Sequence, residues 1–276
     1  MVFLEAQAVV QNPERLLQIW VSEIEARWRS VPEFKVPEGK LNHLAIICDG
    51  NRRAARERKL NPYFGHRAGI ETIRGIAQAG REWGISTVTF WTWSTENWER
   101  ESEQVEFVME LATRHLTDEG FASELCENQV RFTHLGRKDR LPSAVMEAIE
   151  KLEVRTENFD RYRLNLAMDY GGLDETARAI YEMFKAFRRG EFNPEILKEA
   201  PQAILGFLDT ASQAVPDLVV RTGVKEEEIP HTSGFMPLQT TYSGWVFLPE
   251  LFPDLEPQAL LKPIKEFLDY ERRLGR

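Results

Sequence analysis

The sequence has 276 residues, of which 42% are hydrophobic and 29% charged, a composition that suits one large α/β domain. Its formal net charge of -9 argues against a general nucleic-acid-binding protein, so any anion site must be local. The two cysteines have no metal-binding spacing and no apolar run reaches about 18 residues, which argues against a disulfide framework, a zinc site and a membrane-spanning helix. We therefore expect a cytoplasmic protein, for which peripheral contact with a membrane remains open.

The first predicted element is an amphipathic helix over residues 14–29. Its large apolar residues recur at steps of three and four: Leu16, Ile19, Trp20, Ile24 and Trp28. We interpret residues 1–40 as an N-terminal helical extension and residues 41–276 as the main, catalytic domain.

Apolar strands then alternate with amphipathic helices. The segment LNHLAIICDG (41–50) predicts a buried strand that ends in a loop, residues 66–84 a helix that ends at Gly84, and STVTFWTW (86–93) a second strand. A strand-helix-strand order implies parallel strands, with ligand-binding loops at their C-terminal ends.

The alternation continues to the end of the sequence. The further elements are a helix at 103–120, a strand at 129–136, a helix at 141–157, a strand at 162–172, a helix at 175–190, a helical stretch at 194–211, strands at 217–223 and 242–247, and a helix at 259–275. We predict an α/β fold with a mostly parallel central sheet of about six strands flanked by helices.

Five consecutive residues follow the first strand: Asp49, Gly50, Asn51, Arg52 and Arg53. Glycine permits a tight turn, arginines are fork-shaped phosphate donors, and an aspartate at a strand end is a natural Mg²⁺ ligand. The pattern indicates a diphosphate-Mg²⁺ pocket. The alternative is an Asx turn followed by a solvated basic helix face.

Two more strand ends carry arginine. WSTENWER (93–100) offers the amide of Asn97, which can orient a substrate hydrogen, and the guanidinium of Arg100. Its alternative interpretation is a helix cap, with Trp98 in the core. DLVVRTG (217–223) offers Arg221. Three arginine-bearing loops at one edge of a sheet favour anion binding over simple solvation.

Trp91 and Trp93 are predicted to share one face of the second strand, because side chains alternate along a strand. Ordinary core packing is the favoured interpretation. The alternative is that both indoles line a substrate tunnel.

Six ordered blocks resemble the cis-prenyltransferases, the relatives of undecaprenyl and dehydrodolichyl diphosphate synthases. They are DGNRRAA (49–55), FGHRAG (64–69), WSTENW (93–98), NLAMDYGG (165–172), DLVVRTG (217–223) and ERRLG (271–275). The resemblance runs from about residue 42 to the C-terminus.

The resemblance implies a role for each matching residue. Asp49 corresponds to the Mg²⁺-binding and catalytic aspartate, and Asn97 and His66 correspond to groups that assist proton removal. The allylic diphosphate would contact Gly50, Asn51, Arg52, Arg53, His66 and Arg100. The diphosphate of isopentenyl diphosphate would contact Arg221, His231, Ser233, Arg273 and Gly275. The family also implies an apolar tunnel and a homodimer.

The sequence departs from the family pattern mainly in the second-substrate pocket. His231 stands where the family has arginine, and Gly244 where bacterial members have a Mg²⁺-binding glutamate. As an imidazolium, His231 could partly replace the arginine. In the first pocket, Arg52 and Ala54 replace the family's second glycine and its tryptophan, which adds a guanidinium.

These departures leave three functions open. The main one is a Mg²⁺-dependent prenyl transferase that condenses an allylic diphosphate (dimethylallyl, geranyl or farnesyl) with isopentenyl diphosphate or a second prenyl diphosphate. The second is ionisation and cyclisation of one prenyl diphosphate, as in a terpene synthase. The third is a non-catalytic subunit of a heteromeric transferase, which the retained Asp49 disfavours.

Overall fold

In the computed structural model, which describes residues 12–270, a six-stranded sheet organises the chain. Its strands are β1 (His43–Ile47), β2 (Thr87–Ser94), β3 (Val130–Leu135), β4 (Tyr162–Tyr170), β5 (Leu218–Arg221) and β6 (Gly244–Phe247). The spatial order is β3-β4-β2-β1-β5-β6, and all neighbouring strands are parallel. The predicted parallel sheet is confirmed.

Helices connect the strands. Those of the described residues are α1 (Pro13–Trp28), α2 (Asn51–Glu57), α3 (Phe64–Trp83), α4 (Ser102–Leu116), α5 (Glu119–Glu127), α6 (Ser143–Thr156), α7 (Gly172–Arg188), α8 (Ile196–Glu199) and α9 (Pro257–Asp269), with 3-10 turns at Thr95–Glu99, Pro201–Phe207 and Phe252–Asp254. Within residues 12–270, none of these helices is long and apolar enough to cross a membrane.

Two predicted helices are divided in the structure. The helix predicted at 103–120 ends at Leu116, and the carboxylate of Asp118 then caps α5 by accepting the N–H of Phe121 at 2.7 Å. The stretch predicted at 194–211 holds only α8 and a 3-10 turn. Pro201 explains the break, because a residue before proline is forced out of the helical region, and Ala200 has φ -135°.

The described part of the N-terminal segment packs on the main core. Helix α1 contacts α3 and buries Leu17, Trp20, Ile24 and Trp28. The guanidinium of Arg58 lies 4.3 Å from the ring of Trp20, and the same side chain pairs with Asp254 at 2.6 Å. Helix α1 is thereby linked to the segment that follows α2.

The sheet brings three strand ends to one edge. Ile47, the last residue of β1, pairs with Trp91 of β2 on one side and with Arg221 of β5 on the other. From β1 the chain continues into β2 on one side, and it returns to add β5 on the other. The C-terminal edge between β1 and β5 is therefore a topological switch point, where α/β sheets bind ligands.

Two bulges disturb the end of the β2–β4 pair. The register pairs Trp91 with Ala167, Trp93 with Met168, and Ser94 with Tyr170. Thr92 is therefore extra on β2, and Asp169 is extra on β4. Trp91 packs beside Phe235 on one face, whereas Trp93 belongs to the cluster on the other face. The prediction that Trp91 and Trp93 share a face is wrong, because a bulge reverses the alternation of side chains.

Candidate active site

Asp49 lies just after β1, at the switch point. Its carboxylate accepts hydrogen bonds from Nη2 of Arg53 at 3.1 Å and from Nη2 of Arg221 at 2.9 Å. The hydroxyl of Thr222 accepts the N–H of Asp49 at 3.1 Å and lies 2.8 Å from its carbonyl oxygen. The side chain of Asp49 is 37% exposed, so a ligand can reach it. Asp49 is an anchored carboxylate between two guanidinium groups.

The segment predicted as a phosphate-binding loop is the start of helix α2. Gly50 is the residue before the helix and has φ 106°, a conformation that favours glycine. Asn51 donates from Nδ2 to the carbonyl of Cys48 at 2.9 Å. Helix α3 approaches so closely that a Cβ at Gly65 would lie 1.9 Å from the carbonyl oxygen of Asn51. Glycine at position 65 therefore lets α2 and α3 pack together.

An open pocket of about 740 Å³ lies above Asp49. Five arginines line it: Arg52, Arg53, Arg56, Arg100 and Arg221. Its other lining residues include Asp49, Gly50, Asn51, His66, Asn97 and Ser233. The structure thus brings the residues predicted for the first diphosphate together. In a chain of net charge -9, this concentration of guanidinium groups marks a local anion site.

Arg100 stays charged despite partial burial. Burial, followed by repulsion from Arg52, lowers the pKa of Arg100 to about 10. This value still leaves the guanidinium protonated at neutral pH. Its Cζ stands 5.4 Å from the ring centroid of Trp93.

Gln104 ties His66 to Arg52. The Gln104 amide is buried, and its Oε1 accepts from Nη1 of Arg52 at 3.3 Å. Its Nε2 lies 3.3 Å from Nε2 of His66. Because the amide nitrogen can only donate, the His66 Nε2 accepts, and the ring is neutral with its proton on Nδ1. Burial, then the charges of Arg100 and Arg52, lowers the pKa of His66 to about 3.

We expect the imidazole of His66 to remain neutral from pH 8 down to pH 5. Its pKa of about 3 lies below the ordinary value of 6.5. Between these two pH values the unfolded state binds a proton on His66 and the folded state does not. The contribution of His66 to stability is therefore present above pH 6.5 and is lost as the pH falls toward 3. NMR titration, assigned with His66→Gln, should show no midpoint near 6.5 for this ring. A midpoint near 6.5 would contradict the neutral state of the half-buried ring.

Asn97 lines the same pocket, but its amide oxygen is engaged. It accepts the N–H of Ser94 at 3.2 Å within a capping box at the start of the Thr95–Glu99 turn. The alternative interpretation of this stretch as a cap is therefore correct for the oxygen of Asn97. Asn97 is nevertheless one of the residues that line the cationic pocket.

Comparison with known proteins identifies the family. The prenyltransferase family model that describes undecaprenyl diphosphate synthases matches residues 47–275. The chain belongs to this family.

Its relatives among the prenyltransferases cover most of the chain. A tritrans,polycis-undecaprenyl-diphosphate synthase (geranylgeranyl-diphosphate specific) of Thermococcus kodakarensis is 36% identical over 88% of this chain and 90% of its own length. An isoprenyl transferase of Clostridium tetani is 36% identical over 84% and 88%. The crystal structure of lavandulyl diphosphate synthase from Lavandula x intermedia, in complex with dimethylallyl diphosphate, superposes with a TM-score of 0.80 at 27% identity, covering 87% of this chain and 100% of that chain.

In this prenyltransferase, Arg221 organises the residues predicted for the second diphosphate. Its Nη1 donates to Oγ of Ser233 and to the carbonyl of His231, both at 2.7 Å, and lies 3.2 Å from Nδ1 of His231. Oγ of Ser233 lies 3.0 Å from the same Nδ1, so this ring nitrogen can accept from Arg221 or donate to Ser233. The imidazolium suggested at position 231 stays a prediction. Arg273 and Gly275, predicted for the same subsite, lie outside the described residues.

Gly244 lies away from this pocket. It opens β6 and pairs with Leu218, whereas Arg221 at the pocket pairs with Phe247 at the other end of the strand. Three strand steps of about 3.3 Å separate the two ends by roughly 10 Å. Within residues 12–270 of one chain, position 244 therefore does not contribute to the pocket that holds Asp49.

An apolar cavity of about 130 Å³ adjoins the cationic pocket. The two share Cys48, Asn51, His66, Thr92 and Trp93. The cavity continues between α3, α4 and the sheet, along residues that include Ile70, Ile73, Phe90, Val108, Leu111 and Leu166. A hydrocarbon chain attached to a bound diphosphate would enter it.

Sequence reasoning missed two contributors to the site. Gln104 lies in no recognisable sequence motif, because its role depends on how the start of α4 packs beside α3. Thr222 follows Arg221 and could have been proposed as a polar residue at a strand end. Asp169 lies within the block NLAMDYGG (165–172), and its carboxylate accepts from Nε1 of Trp98 at 2.8 Å.

Proposed function

We propose that this chain is a Mg²⁺-dependent prenyltransferase that condenses an allylic prenyl diphosphate with isopentenyl diphosphate, releasing diphosphate. One observation carries the proposal: a pocket lined by five arginines and Asp49 opens directly into an apolar cavity. The pocket matches a diphosphate and the cavity matches its hydrocarbon tail. The relatives named above are an undecaprenyl-diphosphate synthase and an isoprenyl transferase.

Asp49 fits a Mg²⁺ ion shared with the substrate. Within residues 12–270, no three of His, Cys, Asp and Glu cluster into a metal cage. Mg²⁺ commonly takes only one or two carboxylates and completes its shell with water and substrate phosphates. Asp49 supplies such a carboxylate beside the arginines. When bound, the ion would neutralise negative charge on the leaving diphosphate.

The residues support a stepwise condensation. The allylic C–O bond breaks, its electron pair leaves with the diphosphate, and Arg52, Arg53 and Arg100 stabilise the developing charge. The π electrons of isopentenyl diphosphate then form a bond to the allylic carbon. The new carbocation loses a proton from the neighbouring carbon, which restores a double bond.

The proton must leave through groups at the pocket. His66 is a weak base because burial, and then the charges of Arg100 and Arg52, lower its pKa. An anionic diphosphate beside these arginines would offset their effect and raise the basicity of His66. We assign Asn97 to orient the reacting hydrogen, and Asp49 and the departing diphosphate to accept it.

A substrate panel tests the proposal. The protein is incubated with Mg²⁺ and dimethylallyl, geranyl or farnesyl diphosphate, each with and without isopentenyl diphosphate, and the products are identified by mass spectrometry. Elongated prenyl diphosphate formed only with both substrates supports condensation. Hydrocarbon or alcohol from one substrate would instead indicate terpene-synthase chemistry, and absence of any turnover would indicate a non-catalytic subunit.

A second candidate is the coupling of two allylic diphosphates. Among the described residues that the family pattern assigns to the second subsite, Arg221 is the one cation, and it is already bonded to Asp49, His231 and Ser233. The lavandulyl diphosphate synthase structure is a complex with dimethylallyl diphosphate. A product from dimethylallyl diphosphate alone that retains one diphosphate would favour this candidate.

Replacing Trp93 should lengthen the product. Trp93 is buried at the boundary of the pocket and the cavity, so Trp93→Leu enlarges the space open to the tail. Trp91→Leu is the matched control, because Trp91 touches the cationic pocket but not the apolar cavity, and packs on the opposite face beside Tyr170 and Phe235. We expect Trp93→Leu to shift the product distribution by about one isoprene unit, whereas Trp91→Leu should mainly lower stability, by about 2–4 kcal/mol. Equal product profiles for both variants would oppose this assignment.

We also propose a homodimer formed through α7. One side of this helix exposes Leu173, Ile180, Tyr181, Phe184 and Phe187, with Phe184 54% exposed. Apolar residues repeated at helical spacing on an exposed face indicate a contact surface. Sedimentation velocity should show a dimer for the wild type and a monomer for Phe184→Lys. A dimeric Phe184→Lys protein would place the interface elsewhere.

We place the reaction in the cytoplasm. Cys48 and Cys126 are free thiols, which is typical of a reducing compartment. Burial, and then the charge of Asp49, raises the pKa of Cys48 well above its usual value, so this thiol at the site is not a nucleophile. Peripheral contact with a membrane would let long prenyl tails exchange with the cavity.

A further inference from the structure

Asp169 is a fully buried acidic residue beside the candidate active site. Its relative exposure is 0%, and its backbone has φ 52°, in the left-handed region. Aspartate tolerates this conformation better than most side chains. A buried carboxylate is costly unless it is paired, so its partners indicate what it holds in place.

The carboxylate has two side-chain partners from different elements. Arg140 donates from Nε to Oδ2 at 2.9 Å and from Nη2 to Oδ1, a bidentate pair. Trp98 donates from Nε1 to Oδ1 at 2.8 Å. The main chain is also held, because the carbonyl of Asp169 accepts the N–H of Arg137 at 2.9 Å. Asp169 therefore joins β4, the segment after β3, and the turn that contains Asn97.

Asp169 is also the extra residue of the bulge on β4. The bulge pairs Ser94 with Tyr170 and Trp93 with Met168, which skips Asp169. Bulges beside active sites commonly redirect side chains. Here the bulge lets the indole of Trp93 face the cavity. The turn Thr95–Glu99 begins directly after the displaced end of β2.

The contacts lead from Asp169 to the diphosphate pocket. Trp98, bonded to Asp169, packs against Trp93 with ring centroids 5.8 Å apart and planes at 79°. Arg100 lies over Trp93. Asn97 precedes Trp98 directly in the chain. The position of Trp98 therefore sets the positions of both Asn97 and Arg100.

We propose that Asp169 is a positioning residue for the reaction: with Arg140 it holds the indole of Trp98, and through it the segment 94–100 that presents Asn97 and Arg100 to the allylic diphosphate. Holding Trp98 requires the carboxylate of Asp169 as well as its backbone conformation. The kinetic part of this inference rests on the proposed prenyltransferase function, whereas the contact between Asp169 and Trp98 does not.

Three variants separate the carboxylate from the backbone. Asp169→Gly keeps the left-handed conformation but removes both partners' acceptor. Asp169→Asn keeps a side chain that tolerates this conformation but removes the charge. Trp98→Phe keeps the ring packing and removes the donor. Asp139→Asn is the matched control, since Asp139 forms a bidentate pair with Arg137 in the adjacent loop and does not touch segment 94–100.

We expect kcat to fall by about 10- to 100-fold in Asp169→Gly, in line with the cost of misplacing reacting groups by about 1 Å. Asp169→Asn, which weakens the pair with Arg140, and Trp98→Phe, which removes the indole donor, should each lower kcat by about 10-fold. The kcat of the Asp169→Gly/Trp98→Phe double variant should be no lower than that of Asp169→Gly alone, because Asp169→Gly already removes the acceptor of Trp98. The KM for isopentenyl diphosphate should change by less than about 2-fold, since Arg221 is not part of this chain of contacts. Asp139→Asn should match the wild type.

A readout independent of turnover completes the test. The indole N–H resonance of Trp98 should be protected from solvent exchange in the wild type and in Asp139→Asn, and lose protection in Asp169→Gly. Folded Asp169→Gly protein with wild-type kcat, or with unchanged indole protection, would overturn the proposal, as would multiplying effects in the double variant. If the wild type turned over no prenyl diphosphate, the proposed reaction would fail, while the indole measurement would still decide whether Asp169 holds Trp98.

Discussion

Replacing Asp49 by asparagine is expected to lower kcat by on the order of 1,000-fold. Asparagine has nearly the same shape, and its amide oxygen can still accept from Arg53 or Arg221, so the fold should persist. What disappears is the negative charge that fits a divalent cation. A metal ion supplies several kcal/mol of stabilisation to a leaving diphosphate, and each 1.36 kcal/mol corresponds to tenfold in rate. Single-turnover assays with saturating allylic diphosphate measure this directly.

Asp174→Asn is the control for this variant. Asp174 also accepts from two arginines, Arg137 at 3.0 Å and Arg178 at 2.9 Å, but it lies outside the pocket lining. Both substitutions therefore remove one carboxylate from between two guanidinium groups. We expect Asp174→Asn to retain activity within about 3-fold, as is usual for a substitution that leaves the site intact. A similar rate for Asp49→Asn would mean that the pocket works without its carboxylate.

The fold was predictable because parallel sheets leave a simple trace in the sequence. Buried strands appear as short apolar runs, and their C-terminal ends meet at one edge. Asp49 and Arg221 are 172 positions apart, yet this rule alone places both at that edge, where they bond at 2.9 Å. Residues whose place depends only on topology can therefore be found without a structure.

Residues whose role depends on packing could not be found in this way. The link from Gln104 to His66 depends on where α4 starts relative to α3, and helical periodicity does not specify that distance. The orientation of Trp93 depends on a bulge that the local sequence of β2 does not predict. The hydrogen bonds of Arg221 to the 231–233 segment form only when that segment folds back on β5. In each case a contact between distant elements decides the chemistry.

Replacing Arg221 by methionine is expected to raise the KM for the second substrate by about 10- to 100-fold, because a charge-assisted hydrogen bond contributes roughly 1.5–3 kcal/mol. The same guanidinium holds His231, Ser233 and Asp49, so its loss also releases the segment that closes this side of the pocket. Steady-state assays that vary one substrate at a time separate the two effects. Lys225→Met is the matched control, since Lys225 is exposed in the same connection and the variant removes the same charge.

His231→Arg should act in the opposite direction. Nδ1 of His231 lies 3.2 Å from Nη1 of Arg221, whereas an arginine at position 231 would add a second guanidinium for a phosphate. We expect the KM for isopentenyl diphosphate to fall by about 10-fold if this diphosphate is the natural occupant of the subsite. If the subsite instead receives a second allylic diphosphate, both substitutions will act on the reaction of dimethylallyl diphosphate alone and leave the dependence on isopentenyl diphosphate unchanged. Arg221 and His231 thus decide between condensation and coupling, because the first subsite is common to both reactions and the identity of the second anion is what distinguishes them.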